Sequence, residues 1–339
     1  MAASKNNFFD HVRWLRQAAS EHGFELIIAG ENLQAFLRRG ERFWTLQPQF
    51  VSKAGGVAQY TSALTPDVTH FAGWLPDRSK RWPAANDKLI FKQWAAEAGV
   101  RVPAYSKSGI AEMADVVVKR AISSFGEQVK GPFRLSGEHA IDTSQREYYE
   151  RFVEGELFKV WFWNGTPICA ERDAMPQVTG NGRASFRKLI TQRANFIETQ
   201  SDDALERQLA RSAIVLRYFG LSLDTVPAPD TRQCVEFRYG TALMHAKGRQ
   251  ILDFRTNSNA RWQALRAIGP TLHTAIPESL RQDTLFTADA VYDGNHFWWL
   301  EMNSHPAVHP YVYPAVLSSL AATAQTGAPS SQPAVQMTS

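Results

Sequence analysis

Apolar side chains recur at three- and four-residue steps through Phe8, Val12, Leu15 and Ala18, stop at Gly23, and give way to an apolar run from Phe24 to Ala29. That change of period predicts helix, turn and buried strand. From Gly30 to Pro83 the signals are shorter, with a strand at Phe43 to Phe50 and a turn-rich stretch from Pro76. Residues 1–85 are therefore expected to form a small α/β domain. A helix is predicted over Asp87 to Ala98, its stripe made by Leu89, Ile90, Phe91, Trp94, Ala95 and Ala98 and its stop by Gly99. Val100 to Pro103 reads as a strand entrance, and further strands are expected at Val116 to Lys119, Tyr148 to Val153 and Leu157 to Trp163. Ser201 to Phe219 has helical spacing in Leu205, Leu209, Ile214, Val215 and Tyr218. The last pattern is a hairpin, Leu285 to Tyr292 and His296 to Asn303, around Asp293-Gly294-Asn295. The Ala/Thr/Ser/Gln/Pro-rich tail, residues 321–339, is expected to be disordered.

The hairpin carries the sharpest candidate chemistry. With a three-residue loop, Tyr292 pairs with His296 and Asp289 with Trp299, so Asp289 shares a face with Glu301 and Asn303. A two- or four-residue loop shifts the pairing by one and sets Asp289 beside Leu300 and Met302. Carboxylate and amide oxygens without cysteine suit a hard cation such as Mg²⁺, which takes its remaining ligands from phosphate and water. Taken alone, the trio more often describes a solvated strand face.

Other features are individually weak. Lys119 ends the apolar run Val116 to Val118 and precedes the small-residue turn Ser123-Ser124-Phe125-Gly126, whose amides can approach phosphate. Lys88 falls in the first turn of a helix, where anions are favoured, and surface lysines do the same. Arg255 lies in a polar segment, Asp253 to Trp262, and His305 and His309 follow the acidic trio. No P-loop, nucleophile-elbow or Cys-x-x-Cys pattern occurs.

Composition narrows the classes. The 339 residues include 37 Lys or Arg and 33 Asp or Glu, a net charge of +4, and 44% are hydrophobic, which excludes a chain disordered throughout and suggests two or three packed subdomains. Without a block of like charge, neither nucleic acid nor membrane is an expected partner. Two cysteines, no apolar signal core and no ~18-residue apolar run fit a cytoplasmic protein.

The order of these features resembles that of the ATP-grasp superfamily. It is carried by NDKLIFKQWAAEAGVRVP, ADVVVKRAISSFG, YYERFVEGELFKVWFWNG, AERDAMPQVTGNGRASFRKLI, FRTNSN and ADAVYDGNHFWWLEMNSHP, spread over most of residues 86–316. The AER, VTGNG, RKLI and RTNSN segments are most similar to cyanophycin synthetases and to the ligase half of bifunctional glutathione synthetases, and the outer motifs are shared with D-alanine:D-alanine ligases. With about 85 residues before Asn86, a stand-alone ligase is expected.

The resemblance implies an α+β ATP-grasp fold, two α+β subdomains clasping ATP, preceded by the small α/β domain. Residues 86–190 would form the central lid and adenine hinge, and residues 191–320 the metal-bearing subdomain. It makes Lys88 and Lys119 ligands of the ATP phosphates, with Ser123, Ser124 and Gly126 in the loop closing over them. Glu150 to Val153 match the adenine hinge, where the backbone of Phe152 or Val153 would read the base. Lys159 falls where relatives point a basic residue at the nucleotide. Leu157 fills the slot of the usual ribose acid, leaving Glu154 or Glu156 to replace it. Asp289, Glu301 and Asn303 match the ligands of two Mg²⁺ ions, Mn²⁺ being able to substitute. Arg255, with Asn257 and Asn259, would face the transferred phosphoryl group or acyl substrate. Arg120, Ala307, Thr287 and the ARW that follows RTNSN depart from the usual pattern around the acyl site.

The implied activity is an ATP-dependent ligase that activates a carboxylate as an acyl phosphate and joins it to an amine. Amino acids or short peptides are the expected substrates, and a homodimer would be common for such families. A phosphotransferase of the same fold and a nucleotide binder without turnover are the alternatives.

Overall fold

The computed structural model describes residues 8–54, 57–76, 80–108, 112–123, 128–197, 201–238, 241, 243–244, 249–256, 259 and 262–325. It opens with α1 (Phe8–Glu21) and five strands, β1 (Glu25–Ile28), β2 (Ala35–Arg39), β3 (Arg42–Ala54), β4 (Val57–Thr61) and β5 (Val68–Leu75). Then come α2 (Pro83–Asn86), α3 (Lys88–Glu97), β6 (Tyr105–Ser106), β7 (Ala114–Arg120), β8 (Lys130–Leu135) and β9 (Glu147–Arg151). The next elements are β10 (Glu156–Trp163), β11 (Thr166–Ala174), β12 (Gln177–Thr179), α4 (Phe186–Ile197), α5 (Asp202–Tyr218) and β13 (Arg232–Cys234). The last are β14 (Gln250–Asp253), α6 (Gln263–Thr274), β15 (Leu285–Tyr292), β16 (Phe297–Asn303) and α7 (Tyr313–Gln325).

Every strand pair among the described residues is antiparallel, and the helices lie outside the sheets, so the fold is α+β. The segment expected as a small α/β unit holds one long helix and a five-stranded antiparallel sheet, β1-β2-β3-β4 with β5 on β3. A four-stranded sheet, β6-β9-β7-β8, stands in the segment expected to be the lid. The central sheet has the order β14-β11-β10-β15-β16. Strands β10 and β11, expected with the lid, thus pair instead with the C-terminal strands.

Sequence alternation decides the two faces of the central sheet. Phe158, Val160, Ala170, Leu252, Ala288 and Met302 point to one side and pack with Phe91 and Ala95 of α3 and with Leu265 and Leu272 of α6. On the other side Trp161, Trp163, Cys169 and Leu285 join α1, α7 and the N-terminal sheet. Farther along that same face Leu157 and Val291 meet Val117 and Phe152 of the lid. Between these two apolar regions the register places one row of charge: Glu171 opposite Lys159, Lys159 opposite Asp289, and Asp289 opposite Glu301.

Local signals explain the approach of α3 to this row. Asp87 caps the helix through Leu89 N at 2.8 Å, and the Lys88 amide donates to Ala121 O at 2.9 Å, fixing the helix start against the end of β7. Gly155 permits the hinge to touch the hairpin, since a Cβ there would lie 2.1 Å from Tyr292 O. Several expectations change. No strand forms at Val100 to Pro103, and the next begins at Tyr105. In α3 Ile90 is exposed while Lys92 is fully buried. The expected disordered tail is helical through Gln325, because α7 continues the apolar face formed by Val316, Leu317 and Leu320; residues 326–339 lie outside the described residues.

Candidate active site

The hairpin reaches its cluster by an unexpected route. Its loop has four residues, not three, because the Asp293 carboxylate accepts from Asn295 N and His296 N and draws His296 into the turn. Tyr292 therefore pairs with Phe297 and Ala290 with Trp299, a register that by simple counting would leave Asp289 opposite Leu300. A bulge at Leu300 restores the alignment, setting Asp289 opposite Glu301 and Thr287 opposite Asn303.

Four lysines converge on three carboxylates. Lys159 Nζ lies 2.6 Å from Asp289 Oδ1, and Lys88 Nζ lies 3.0 Å from Glu301 Oε2. Lys88 also donates to Ser123 O at 2.8 Å and to Ser123 Oγ at 3.1 Å. Across the cleft, in the lid, Glu150 accepts Lys119 and Lys92, each at 2.6 Å. Side chains from α3, β7, β9, β10, β15 and β16 thus form one electrostatic cluster.

Burial and pairing set the ionisation. Burial is the largest influence on Asp289 and, with Glu301 beside it, raises its pKa to about 6 against the opposing pull of Lys159. Burial acts the same way on Glu301, yet Lys88, with Lys159 and Lys119, outweighs it and holds that carboxyl below its ordinary value. Lys159 is raised, Asp289 overcoming the effect of burial. Glu150 is also held low, Lys119 and Lys92 overcoming a burial cost that alone would raise it. For Lys92 burial wins and pulls the ammonium down despite Glu150.

The donor set fits a small hard cation shared with phosphate. Asp289 and Glu301 are adjacent carboxylates, and the neighbouring Thr287 Oγ1 is a buried oxygen without a hydrogen-bond partner among the described residues, while Asn303 Nδ2, likewise unsatisfied, is a donor that suits a phosphate oxygen. No group of three or more His, Cys, Asp or Glu that could hold a metal occurs among the described residues. One or two carboxylates completed by phosphate oxygens and water is the usual arrangement for Mg²⁺.

Other expected site residues sit differently. Glu156, expected at the ribose, lies on the opposite sheet face from Lys159 and is paired with Arg172, away from the cluster; Glu154 is exposed and is felt electrostatically by Tyr218 and Cys234. The Phe152 amide, part of the backbone expected to read the base, is engaged, donating to Asp115 O at 2.6 Å. Glu150, expected at the hinge, is buried and ion-paired with Lys119 and Lys92. Arg255 binds Asp253 through two nitrogens, at 2.6 and 2.9 Å, between the rings of Trp14 and Tyr311, at the far edge of the sheet from Glu301. His309 is buried and its pKa is lowered to about 4, chiefly by that burial, while its Nδ1 accepts from Tyr311 N. Ser124, Gly126 and Asn257 lie outside the described residues.

Sequence reasoning missed Lys92, although its four-residue spacing from Lys88 puts both on one helix face. It also missed Arg249, whose guanidinium lies 3.2 Å from Glu171 and 3.5 Å from Asp173 at the β14 end of the charged row. No local signal marks that residue.

No protein-family model and no curated protein sequence matches the chain. Among solved structures it is similar to a bifunctional glutathione synthetase from Pasteurella multocida, at 14% identity and a TM-score of 0.40, over 92% of this chain and 44% of that one. A D-alanine–D-alanine ligase from Bacillus anthracis aligns at 11% identity and a TM-score of 0.35, over 72% and 70%. The ATP-grasp ligase PsnB, complexed with a minimal precursor, aligns at 12% identity and 0.35, over 71% and 61%. The chain spans less than half the length of the glutathione synthetase.

Proposed function

We propose that the chain is an ATP-dependent carboxylate–amine ligase of ATP-grasp type, with amino acids or short peptides as substrates. The observation that carries this reading is the convergence of Lys88 and Lys159 from two elements onto the Asp289–Glu301 pair, with Lys119, itself held by Glu150, close enough for its charge to act on Glu301. Three ammonium groups beside a carboxylate pair suit a polyphosphate that brings its own cation.

A carboxylate resists amine attack because its oxygen is a poor leaving group. Transfer of the γ-phosphoryl group of ATP gives an acyl phosphate, from which the amine displaces phosphate. Lys88, Lys119 and Lys159 would bind and orient the phosphates, their ammonium groups positioned by Ser123, Glu150 and Asp289. Mg²⁺ held by Asp289, Glu301 and Asn303 would supply neutralisation of the phosphate charge. Val117, Phe152, Leu157 and Val291 offer an apolar seat for the base, and the lid sheet excludes water.

The test is phosphate release from ATP and Mg²⁺ against amino acids and dipeptides, singly and in pairs, with mass detection and an Asn303→Ala variant alongside. Pair-dependent ADP and phosphate with a dehydrated product is the expected result. AMP as product, or phosphorylated substrate without amine dependence, would overturn it.

A further inference from the structure

The loop after the metal strand is built into the N-terminal sheet. Gln49 of β3 donates Nε2 to His305 O at 3.0 Å, and Val308 N donates to Ala72 O of β5 at 2.7 Å. Gly73 lets the two backbones touch: a Cβ there would lie 2.5 Å from Val308 Cβ, and its φ of +111° disfavours any side chain. From the other direction Trp161 of β10 donates Nε1 to Ala307 O at 2.8 Å. Residues 305–308 are therefore held between the central sheet and β3 and β5.

Strand β4 pairs with β3 with Tyr60 opposite Val51, and this pairing brings a phenol to the same loop. The Tyr60 hydroxyl hydrogen-bonds the backbone of Ala307 and feels the charges of Lys159 and Asp289. The residue as a whole is 37% exposed, so part of the ring faces solvent while the hydroxyl lies deep, where burial, as the leading influence, raises its pKa. An N-terminal side chain thus stands beside the central pair of the charged row.

We propose that Tyr60 is a specificity-determining residue, a fixed aromatic wall that limits the size of the acyl donor presented beside Lys159 and Asp289. This rests on the ligase reading above. The lid side is occupied by Lys119 and the apolar base seat, so the acyl donor must approach from the side bounded by Ala307 and Tyr60. A ring anchored through its hydroxyl holds its edge in one place, whereas a smaller side chain opens the space. The wall selects donors with small side chains and leaves nucleotide binding untouched.

The experiment compares the full-length chain with its Tyr60→Ala and Tyr60→Phe variants, measuring KM and kcat for the amino-acid and dipeptide panel, KM for ATP, and Tm. Gln59→Ala, at the exposed neighbouring position, controls for damage to β4. For Tyr60→Ala we expect KM for the native donor to rise about 10-fold or more, bulkier donors to gain relative kcat/KM, and KM for ATP to stay within about twofold. Tyr60→Phe should keep the size limit and lose part of its sharpness. Unchanged donor preference in Tyr60→Ala overturns the inference alone. An equal loss toward all donors and ATP, with a fall in Tm, also overturns it in favour of a purely structural tyrosine. A wild-type chain that neither binds ATP nor turns over any pair overturns the ligase reading and the wall with it.

Discussion

Glu150 gives a quantitative test of the buried charge network. Its carboxylate is 1% exposed and lies 2.6 Å from both Lys119 and the fully buried Lys92. At an effective dielectric constant of ~20, a pair at that distance attracts by about 6 kcal/mol, much of it offset by the desolvation that pulls Lys92 down. Glu150→Gln strands two ammonium groups and should cost about 3–5 kcal/mol. Lys92→Met leaves Glu150 one partner and should cost about 1–2 kcal/mol. In the double variant the fully buried Lys92 is gone and only Lys119 is left without its carboxylate, so the loss should be smaller than for Glu150→Gln alone, a coupling of about 2–4 kcal/mol. Urea unfolding of the four proteins measures it, with ATP affinity as a companion readout, since Lys119 loses its orienting carboxylate in Glu150→Gln. Additivity of the two single changes within ~0.5 kcal/mol would refute the account.

Gly73→Ala should destabilise by about 2–4 kcal/mol, from the contact with Val308 and the positive φ together, and urea midpoints would show it. His11 and His309 are buried with pKa values lowered to about 3 and about 4 from 6.5, chiefly by burial. The unfolded chain therefore binds more protons below pH 6.5, so stability falls as pH drops from about 6.5 toward 4. His309→Gln should flatten the urea midpoint between pH 6.5 and 5, and an unchanged slope would contradict this. Asp289→Asn should raise the Mg²⁺ concentration for half-maximal turnover at least ~10-fold without altering the circular dichroism spectrum, which a metal titration checks. Cys169 and Cys234 are both buried, and burial raises their thiols, Cys234 to about 12, so a thiol reagent should find two sulfhydryls in urea and almost none in the native protein.

The periodic elements were legible: α1, α3, α5, β7, β9, β10 and the hairpin follow their apolar spacing closely. Strand β11 was not, because Thr166–Ala174 mixes Pro167, Cys169 and three charges on a strand that faces two environments. Helix α6 hides behind Gly269 and Pro270, residues that local propensity reads as breakers and that tertiary packing overrides. For the candidate site, sequence order named Lys88, Lys159, Asp289 and Glu301, which meet, and Lys119, which pairs with Glu150 beside them. It could not name Arg249, whose position depends on the pairing of β14 with β11, or Tyr60, whose hairpin meets the site only by packing against the loop after β16. Nor could it place Glu156, since a face assignment needs the register of β10 against β11.

The bulge in β16 has a further consequence for what one strand can present. Regular alternation sends successive side chains to opposite sides, so a greasy residue and a carboxylate adjacent in sequence cannot ordinarily serve the same surface. The extra residue suspends that rule once: Leu300 leans toward the apolar lid cluster, and Glu301 still lies opposite Asp289 on the same side. An apolar side chain packed on the lid and a carboxylate of the charged row can then stand one residue apart. Removing the irregularity, by deleting Leu300 to make a straight hairpin, would keep the Asp289–Glu301 pair yet take the floor from beside it, separating nucleotide affinity from metal dependence in a single variant.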